Sequence, residues 1–277
     1  MDPTLERLFS LEGKLALVTG GTGILGSAVS RGLAQAGAHV LVTHRRAEDA
    51  ESAAAGLREA GHRASGLGLD VMDEASLRRA AARTRSLGGL DILVNGVGGN
   101  RPGATTAPDM PFHELPRAAV EEVMALNVLG GAFLTAQAFA PQMAEKEAGG
   151  AILAISSMSG IRPLTRVPGY SAAKAAVANF TAWLATHLAQ EYNPRLRVNA
   201  IAPGFFLTTQ NRFLLTEEGT GAVTPRGRRV LDHTPMGRFG APEDLIGAVV
   251  WLCSDAARFV TGIVVPVDGG FSAYAGV

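Results

Sequence analysis

Short runs of apolar residues alternate along the chain with longer stretches whose apolar positions recur at helical spacing. Leu15–Thr19 is apolar and ends at a cluster of glycines. A helix is predicted over 27–36, closed by Gly37, and a second apolar run follows at 40–43. Residues 47–60, rich in Ala, Glu and Arg, read as a helix that stops at Gly61. Further strands are predicted at 92–94, 151–155, 197–201 and 264–267, and the main further helices at 120–140, 171–191 and 242–253.

Strands that are apolar throughout, rather than at alternate positions, belong in a parallel sheet covered on both faces. No repeat, low-complexity tract or linker divides the chain. The expectation is therefore a single α/β domain over 1–277, a doubly wound parallel sheet with helices on both faces. Residues 205–240 break the rhythm. They carry Gly219, Gly221, Pro225 and Gly227 with weak periodicity, and their aromatic and aliphatic content favours a lid with short helices.

Composition narrows the class without changing the fold. Lys plus Arg and Asp plus Glu number 25 each, so no basic face invites nucleic acid. The apolar share, 47%, is enough for a large core. Cys253 is the single cysteine, which fits a reducing compartment; in its apolar setting it reads as an inert thiol. Residues 1–14 are polar and carry three acids, unlike a secretory signal. No uninterrupted apolar run approaches the roughly 20 residues of a membrane helix. A cytoplasmic protein that handles a small molecule is expected, with no membrane partner. The six histidines show no spacing with acids typical of a metal site.

Candidate chemistry begins at the end of the first strand, at Thr19-Gly20-Gly21-Thr22-Gly23-Ile24-Leu25-Gly26. Glycines there let the chain turn tightly and bring backbone N–H groups and a helix N-terminus toward a pyrophosphate, as in a Rossmann fold. After the second strand come His44, Arg45 and Arg46 where an NAD site usually places an acid. Arginine there accommodates the extra phosphate of NADP, so NADP(H) is favoured and NAD(H) is the alternative. A solvated arginine cluster is the bland reading of the same residues.

Tyr170 and Lys174 lie four apart at the start of a helix and share a face. A neighbouring ammonium favours the phenolate, which would bring Tyr170 toward a useful range for proton transfer. Ser156 and Ser157 follow a strand, at the end of the sheet where ligands gather.

In order, the chain shows TGGTGILG, Asp70-Val71, Asn95-Gly96-Val97-Gly98, Asn127, Ser157, Tyr170 with Lys174, Pro203-Gly204 and Val267-Asp268-Gly269-Gly270. This ordered set resembles the short-chain dehydrogenase/reductase family over nearly the whole chain. The resemblance implies an NAD(P)-dependent enzyme interconverting an alcohol and a ketone. It gives Ser157 the substrate oxygen, Tyr170 the proton, Lys174 the nicotinamide ribose and Asn127 a water in the proton relay. Asp70 and Val71 would meet adenine, Asn95 and Gly96 would lie near the cofactor, and Thr208, beyond Pro203-Gly204, would reach the carboxamide. Ser156 is the rival for the catalytic serine. Ile24 stands where short members of the family usually have glycine, while Gly20, Gly23 and Gly26 match the spacing of longer members. Relatives are commonly homotetramers.

Segments around Gly98-Gly99-Asn100, Ile161-Arg162-Pro163 and Gly204-Phe205-Phe206 are similar to members described as mannonate oxidoreductase or fructuronate reductase. That similarity implies a sugar-acid substrate. Arginine forks suit a carboxylate, and Arg101, Arg162, Arg166 and Arg212 fall in segments expected at the site mouth. Asn100, Gln210 and Asn211 are candidates for hydroxyl binding. The alternatives are another polyol, keto-sugar or cyclic ketone as substrate and, in a different class, a non-catalytic dinucleotide sensor.

Overall fold

A computed structural model describes residues 2–208, 212–217 and 219–276. Among these, seven strands form one sheet: β1 (Leu15–Thr19), β2 (His39–His44), β3 (Ala64–Gly68), β4 (Ile92–Asn95), β5 (Gly150–Ile155), β6 (Leu196–Pro203) and β7 (Val264–Val267). Ten α-helices are α1 (Pro3–Phe9), α2 (Ile24–Gln35), α3 (Ala47–Glu59), α4 (Glu74–Ser86), α5 (Arg117–Met124), α6 (Leu134–Ala144), α7 (Pro168–Glu191), α8 (Arg212–Leu215), α9 (Pro225–Asp232) and α10 (Ile246–Cys253). The strand order is β3-β2-β1-β4-β5-β6-β7 and every neighbouring pair is parallel. The expected doubly wound sheet is present.

Its two faces carry separate cores. One packs Val29 and Leu33 of α2 and Val249 and Leu252 of α10 against Val18, Val40 and Val94. The other packs Leu77, Phe139, Met143, Leu184 and Leu188 against Leu17, Leu41, Leu93 and Ile152. Alternate residues of one strand thus serve opposite faces, which is why the strands carry no polar alternation.

Three differences from the expected elements have physical reasons. Strand β3 was not predicted, because Ala64-Ser-Gly-Leu-Gly has little apolar content. A Cβ on Gly66 would sit 2.3 Å from the backbone nitrogen of Glu51, so the close approach of α3 excludes a side chain there. Helix α2 starts at Ile24, inside the glycine string rather than after it. The helix expected over 120–140 is longer and is wound as a π-helix over Ala125–Phe133.

The helix running Arg117–Ala144 is long and apolar enough to cross a membrane by length and composition, with 50% of its most apolar window buried within the fold. Polar Asn127, Thr135 and Gln137 interrupt that stretch, so a search for unbroken apolar runs passes over it. Residues 205–240 contain α8 and α9, and the segment is tied back through bridges Thr216↔Val223 and Phe206↔Gly240.

Candidate active site

The sheet register gathers the strand ends into one crevice. Thr19 lies beside Asn95, Asn95 beside Ala154, Ile155 beside Ile201, and Pro203 beside Val267. Strand order reverses between β1 and β4, where ligands bind in sheets of this kind.

The glycine string turns directly onto α2. Gly20 takes φ +66°, and a Cβ on Gly26 would come within 2.1 Å of the Gly20 carbonyl oxygen. Gly23 caps the helix without a side chain, so the first-turn amides at Ile24 and Leu25 face no capping group. Thr19 welds this loop to the next one. Its hydroxyl accepts the Gly96 N–H at 2.9 Å and the Val97 N–H at 3.3 Å. A Cβ on Gly96 would lie 2.5 Å from the Thr19 carbonyl oxygen. Thr22 is half-buried in the turn, and Asn95 is buried with its Oδ1 unpaired.

Beside the loop opens a cavity of about 460 Å³, lined by Gly20, His44, Arg45, Asp70, Val71 and Met72 on one side. Val71 is buried, and the Asp70 carboxylate accepts the Met72 N–H at 2.9 Å. Arg45 faces this cavity, but Arg46 does not; its guanidinium is held by Asp49 at 2.6 Å, and the same carboxylate lies 3.0 Å from His44 Nδ1. Arg101 and Glu122 close the far side of the cavity as an ion pair at 2.6 Å. Glycines where a Cβ would obstruct, open helix amides, and a cavity with an acid and a buried valine fit a dinucleotide.

Ser157 and Tyr170 come from different elements, and the Ser157 side chain lies near enough to the phenol to pull its pKa down against the effect of burial. Ser157 follows β5 and caps a short turn over Met158–Gly160; its Oγ accepts the Ser159 N–H at 3.2 Å. Gly160 lies flush on α7, since a Cβ there would be 2.6 Å from the Lys174 carbonyl carbon. Ser156 is spent otherwise. Its hydroxyl donates to the Lys174 carbonyl at 2.9 Å, which anchors α7 and leaves Ser157 as the serine at the tyrosine.

Lys174 is buried beneath Tyr170. Its ammonium donates to the Ile155 carbonyl at 2.8 Å and lies 5.6 Å from the centre of the tyrosine ring. Burial brings the lysine down to about 8. The expectation that this ammonium lowers the Tyr170 pKa is not met in the protein alone. Burial raises the phenol, and only the Ser157 hydrogen bond pulls it back.

Asn127 sits in the π-wound segment with its carboxamide fully engaged. Its Oδ1 accepts the Gly99 N–H at 3.0 Å, and its Nδ2 donates to the carbonyls of Gly99 and Val123, each at 2.8 Å. The side chain therefore clamps the loop after β4 to the helix. Gly98 was not singled out from sequence as a site residue, yet a Cβ there would lie 2.5 Å from Asn127 Oδ1 and 3.0 Å from Lys174 Nζ. Thr19 was quoted from sequence only as the first residue of the glycine string, with no role of its own.

The other expected residues are dispersed. Pro203 ends β6, and the Gly204 N–H donates to the Val267 carbonyl at 3.0 Å. The Thr208 carbonyl accepts the Arg212 N–H at 2.8 Å at the start of α8. Asn100 donates to the Thr105 hydroxyl at 2.7 Å, while its Oδ1 is buried without a partner. Arg162 faces a second cavity next to Met158, whereas Arg101 faces the first. Gln210 and Asn211 lie outside the described residues.

Residues 22–272 match the family model described as enoyl-(acyl carrier protein) reductase. An uncharacterized oxidoreductase of Bacillus subtilis, UxuB, is 44% identical over 97% of this chain and 98% of its own. A crystal structure from Haemophilus influenza, with bound NAD and provisionally described as a D-mannonate oxidoreductase, superposes with a TM-score of 0.88. It is 37% identical, covering 99% of this chain and all of its own (100%). The gluconate 5-dehydrogenase of Burkholderia cenocepacia, solved with NADP and tartrate, gives a TM-score of 0.87 at 31% identity, covering 98% and 100% of the two chains. With its glycine loop, the cavity beside it and its Ser157–Tyr170–Lys174 group, the chain belongs to the short-chain dehydrogenase/reductase family of NAD(P)-binding oxidoreductases.

Proposed function

We propose that the protein interconverts a secondary alcohol and a ketone on a sugar acid of the D-mannonate/D-fructuronate type. The observation that carries the chemistry is Ser157 beside the Tyr170 phenol, with Lys174 buried 5.6 Å from the centre of the tyrosine ring. Ser157 is placed to hydrogen-bond the substrate oxygen, and Tyr170 to give that oxygen a proton or take one from it. Lys174 supplies a positive charge below the phenol and, once a ribose is present, a donor to its hydroxyls. Asn127 keeps the loop after β4 seated beside both. The nicotinamide dinucleotide supplies or accepts the hydride. The loop Gly20–Gly26, Asp70, Val71, Asn95, Gly96, Pro203, Gly204 and Thr208 would hold it.

The sugar-acid assignment draws support from the neighbours described as mannonate oxidoreductase and gluconate 5-dehydrogenase. Turnover of D-fructuronate or D-mannonate by the purified protein tests it; activity confined to apolar ketones would refute it. Tyr170→Phe is expected to lower kcat by about 10²–10⁴-fold while cofactor binding persists. A wild type inactive on a broad carbonyl panel would instead favour a dinucleotide sensor.

NADP(H) is the preferred cofactor in this proposal, through Arg45 alone of the two arginines, because Asp49 neutralises Arg46. Arg45→Ala should reduce kcat/KM for NADPH by about tenfold or more and leave NADH little changed, given the strength of hydrogen bonds to charged groups. A wild type that prefers NADH overturns the assignment.

The working form is proposed to be a cytoplasmic homotetramer. Burial pushes the single thiol, Cys253, up to about 12, so it is an inert core group. The outer face of α7, with the end of the π-wound segment, presents a run of rings in contact, Phe133, Phe180, Trp183, His187 and Tyr192, of which Phe133, Trp183 and Tyr192 are exposed.

A further inference from the structure

A cavity of about 480 Å³ opens directly beyond the catalytic turn, where Met158 follows Ser157. Its apolar wall includes Met158, Phe205, Phe271 and Tyr274; Phe205 and Phe271 stand 5.1 Å apart between ring centres. Four arginines face the same space. Arg162 and Arg166 come from the loop that joins the catalytic serine to the catalytic tyrosine, and Arg226 and Arg229 come from α9 on the opposite side. No acid among the described residues lines this cavity.

Arginines on a protein surface are ordinarily dispersed or matched by carboxylates, as Arg46, Arg101 and Arg238 are here. The guanidinium groups of Arg162, Arg166 and Arg226 have no ion pair or hydrogen bond with any described residue. Arg226 is half-buried, and the charges of Arg166 and Arg229 add to burial in pushing its pKa down. Like charges drawn together in a half-dry space are costly until an anion joins them. Arg166 also adopts φ +75°, the one non-glycine residue with positive φ among those described. Its carbonyl accepts the Thr106 N–H at 2.8 Å, which fixes the loop in that strained shape. Backbone strain of this kind persists where the surroundings enforce it, and it gathers at ligand sites.

The geometry points to Arg166 and Arg226 as a carboxylate clamp that selects acidic over neutral sugars and joins the catalytic loop to α9 when substrate is bound. Guanidinium forks match a carboxylate in two hydrogen bonds, and the adjoining apolar wall suits the C–H faces of a sugar chain. A sugar whose reacting carbon lies at Ser157 and Tyr170 would extend past Met158 and place its acid end between the two elements. This inference rests on the sugar-acid reading above.

The test compares wild type, Arg166→Gln, Arg226→Gln and Arg226→Lys with D-mannonate and with its uncharged counterpart D-mannitol. Each glutamine variant is expected to raise KM for D-mannonate about tenfold to a hundredfold, with KM for NADP unchanged and activity on D-mannitol not reduced. Arg226→Lys should recover part of the loss. Added KCl should raise the wild-type KM for D-mannonate and spare D-mannitol, since screening acts on the charge alone. Wild-type turnover of D-mannonate with unchanged KM in both glutamine variants overturns the clamp and leaves the sugar-acid function standing. If wild type turns over no sugar acid, calorimetric titration of D-gluconate into the NADP-saturated protein decides the clamp separately. Binding that is lost in Arg226→Gln sustains the clamp, and no binding to wild type, or binding kept in the variant, overturns it.

Discussion

Lys174 illustrates how a single side chain is held at a cost that only its function explains. An ammonium that is 4% exposed and faces one backbone carbonyl loses most of its hydration, and burial brings it from 10.5 to about 8. At neutral pH the folded chain still carries the charge. Between about pH 8 and 10.5 the unfolded chain holds this proton and the folded chain does not, so this residue's contribution to stability rises with pH across that window. Below it both states are protonated and the folded state bears the full penalty, about 3 kcal/mol. The unfolding free energy of wild type minus that of Lys174→Met, measured in urea without cofactor, should therefore increase by about that amount from pH 7 to 10.5. A difference that stays flat across the window would show that Lys174 is not desolvated. Tyr170 shifts in the opposite sense for stability. Its phenol is raised by burial, so the folded state loses ground above pH 10, and taking the difference between the two proteins removes that contribution.

At the scale of elements, the long helix and its neighbour carry two duties on two sides. Inward, Asn127 in the π-wound stretch clamps the loop after β4, with Lys174 of α7 beside it. Local widening of a helix of this kind is found mostly at functional sites, because it redirects backbone groups without ending the helix. Outward, the rings from Phe133 to Tyr192 leave an apolar strip beside a cavity of about 350 Å³. A face of this sort on the proposed tetramer is sensitive to charge, since an unpaired carboxylate in a buried interface is strongly unfavourable. Trp183→Glu should shift the protein to smaller species in light scattering behind size exclusion, with its helical circular dichroism retained. An unchanged mass would place the interface elsewhere.

Across the whole molecule, legibility in the sequence followed burial. The central strands β1, β2, β4 and β5 are wetted on neither face, so each centres on an apolar run and was found; β6 was found too, although Arg197 and Asn199 interrupt it. Edge strand β3 packs so tightly on α3 that Gly66 has no room for a side chain, and no apolar pattern remained to read. The polar α1 and α4 escaped for a related reason: α1 buries no residue, and α4 buries only Ser76, Leu77, Ala80 and Thr84. The candidate site was legible where function restricts residue type at fixed spacing, as for the glycine loop and for Tyr170 with Lys174. Arg226 and Arg229 carry no such spacing. They lie in α9, some sixty residues of chain beyond Arg166, and only folding sets them across one cavity from it.

The sequence by itself determined the parallel α/β order, the glycine turn and the serine–tyrosine–lysine series, because each depends on local stereochemistry or on short spacing along one element. Tertiary structure decided which of two adjacent serines meets the tyrosine, which of two arginines faces the cavity beside the glycine loop, and which cations share a cavity beyond Met158. Those outcomes turn on long-range register and on competition for partners: Ser156 is taken by the Lys174 carbonyl and Arg46 by Asp49. A linear pattern records neither, since a hydrogen bond between distant residues leaves no periodic trace in either segment.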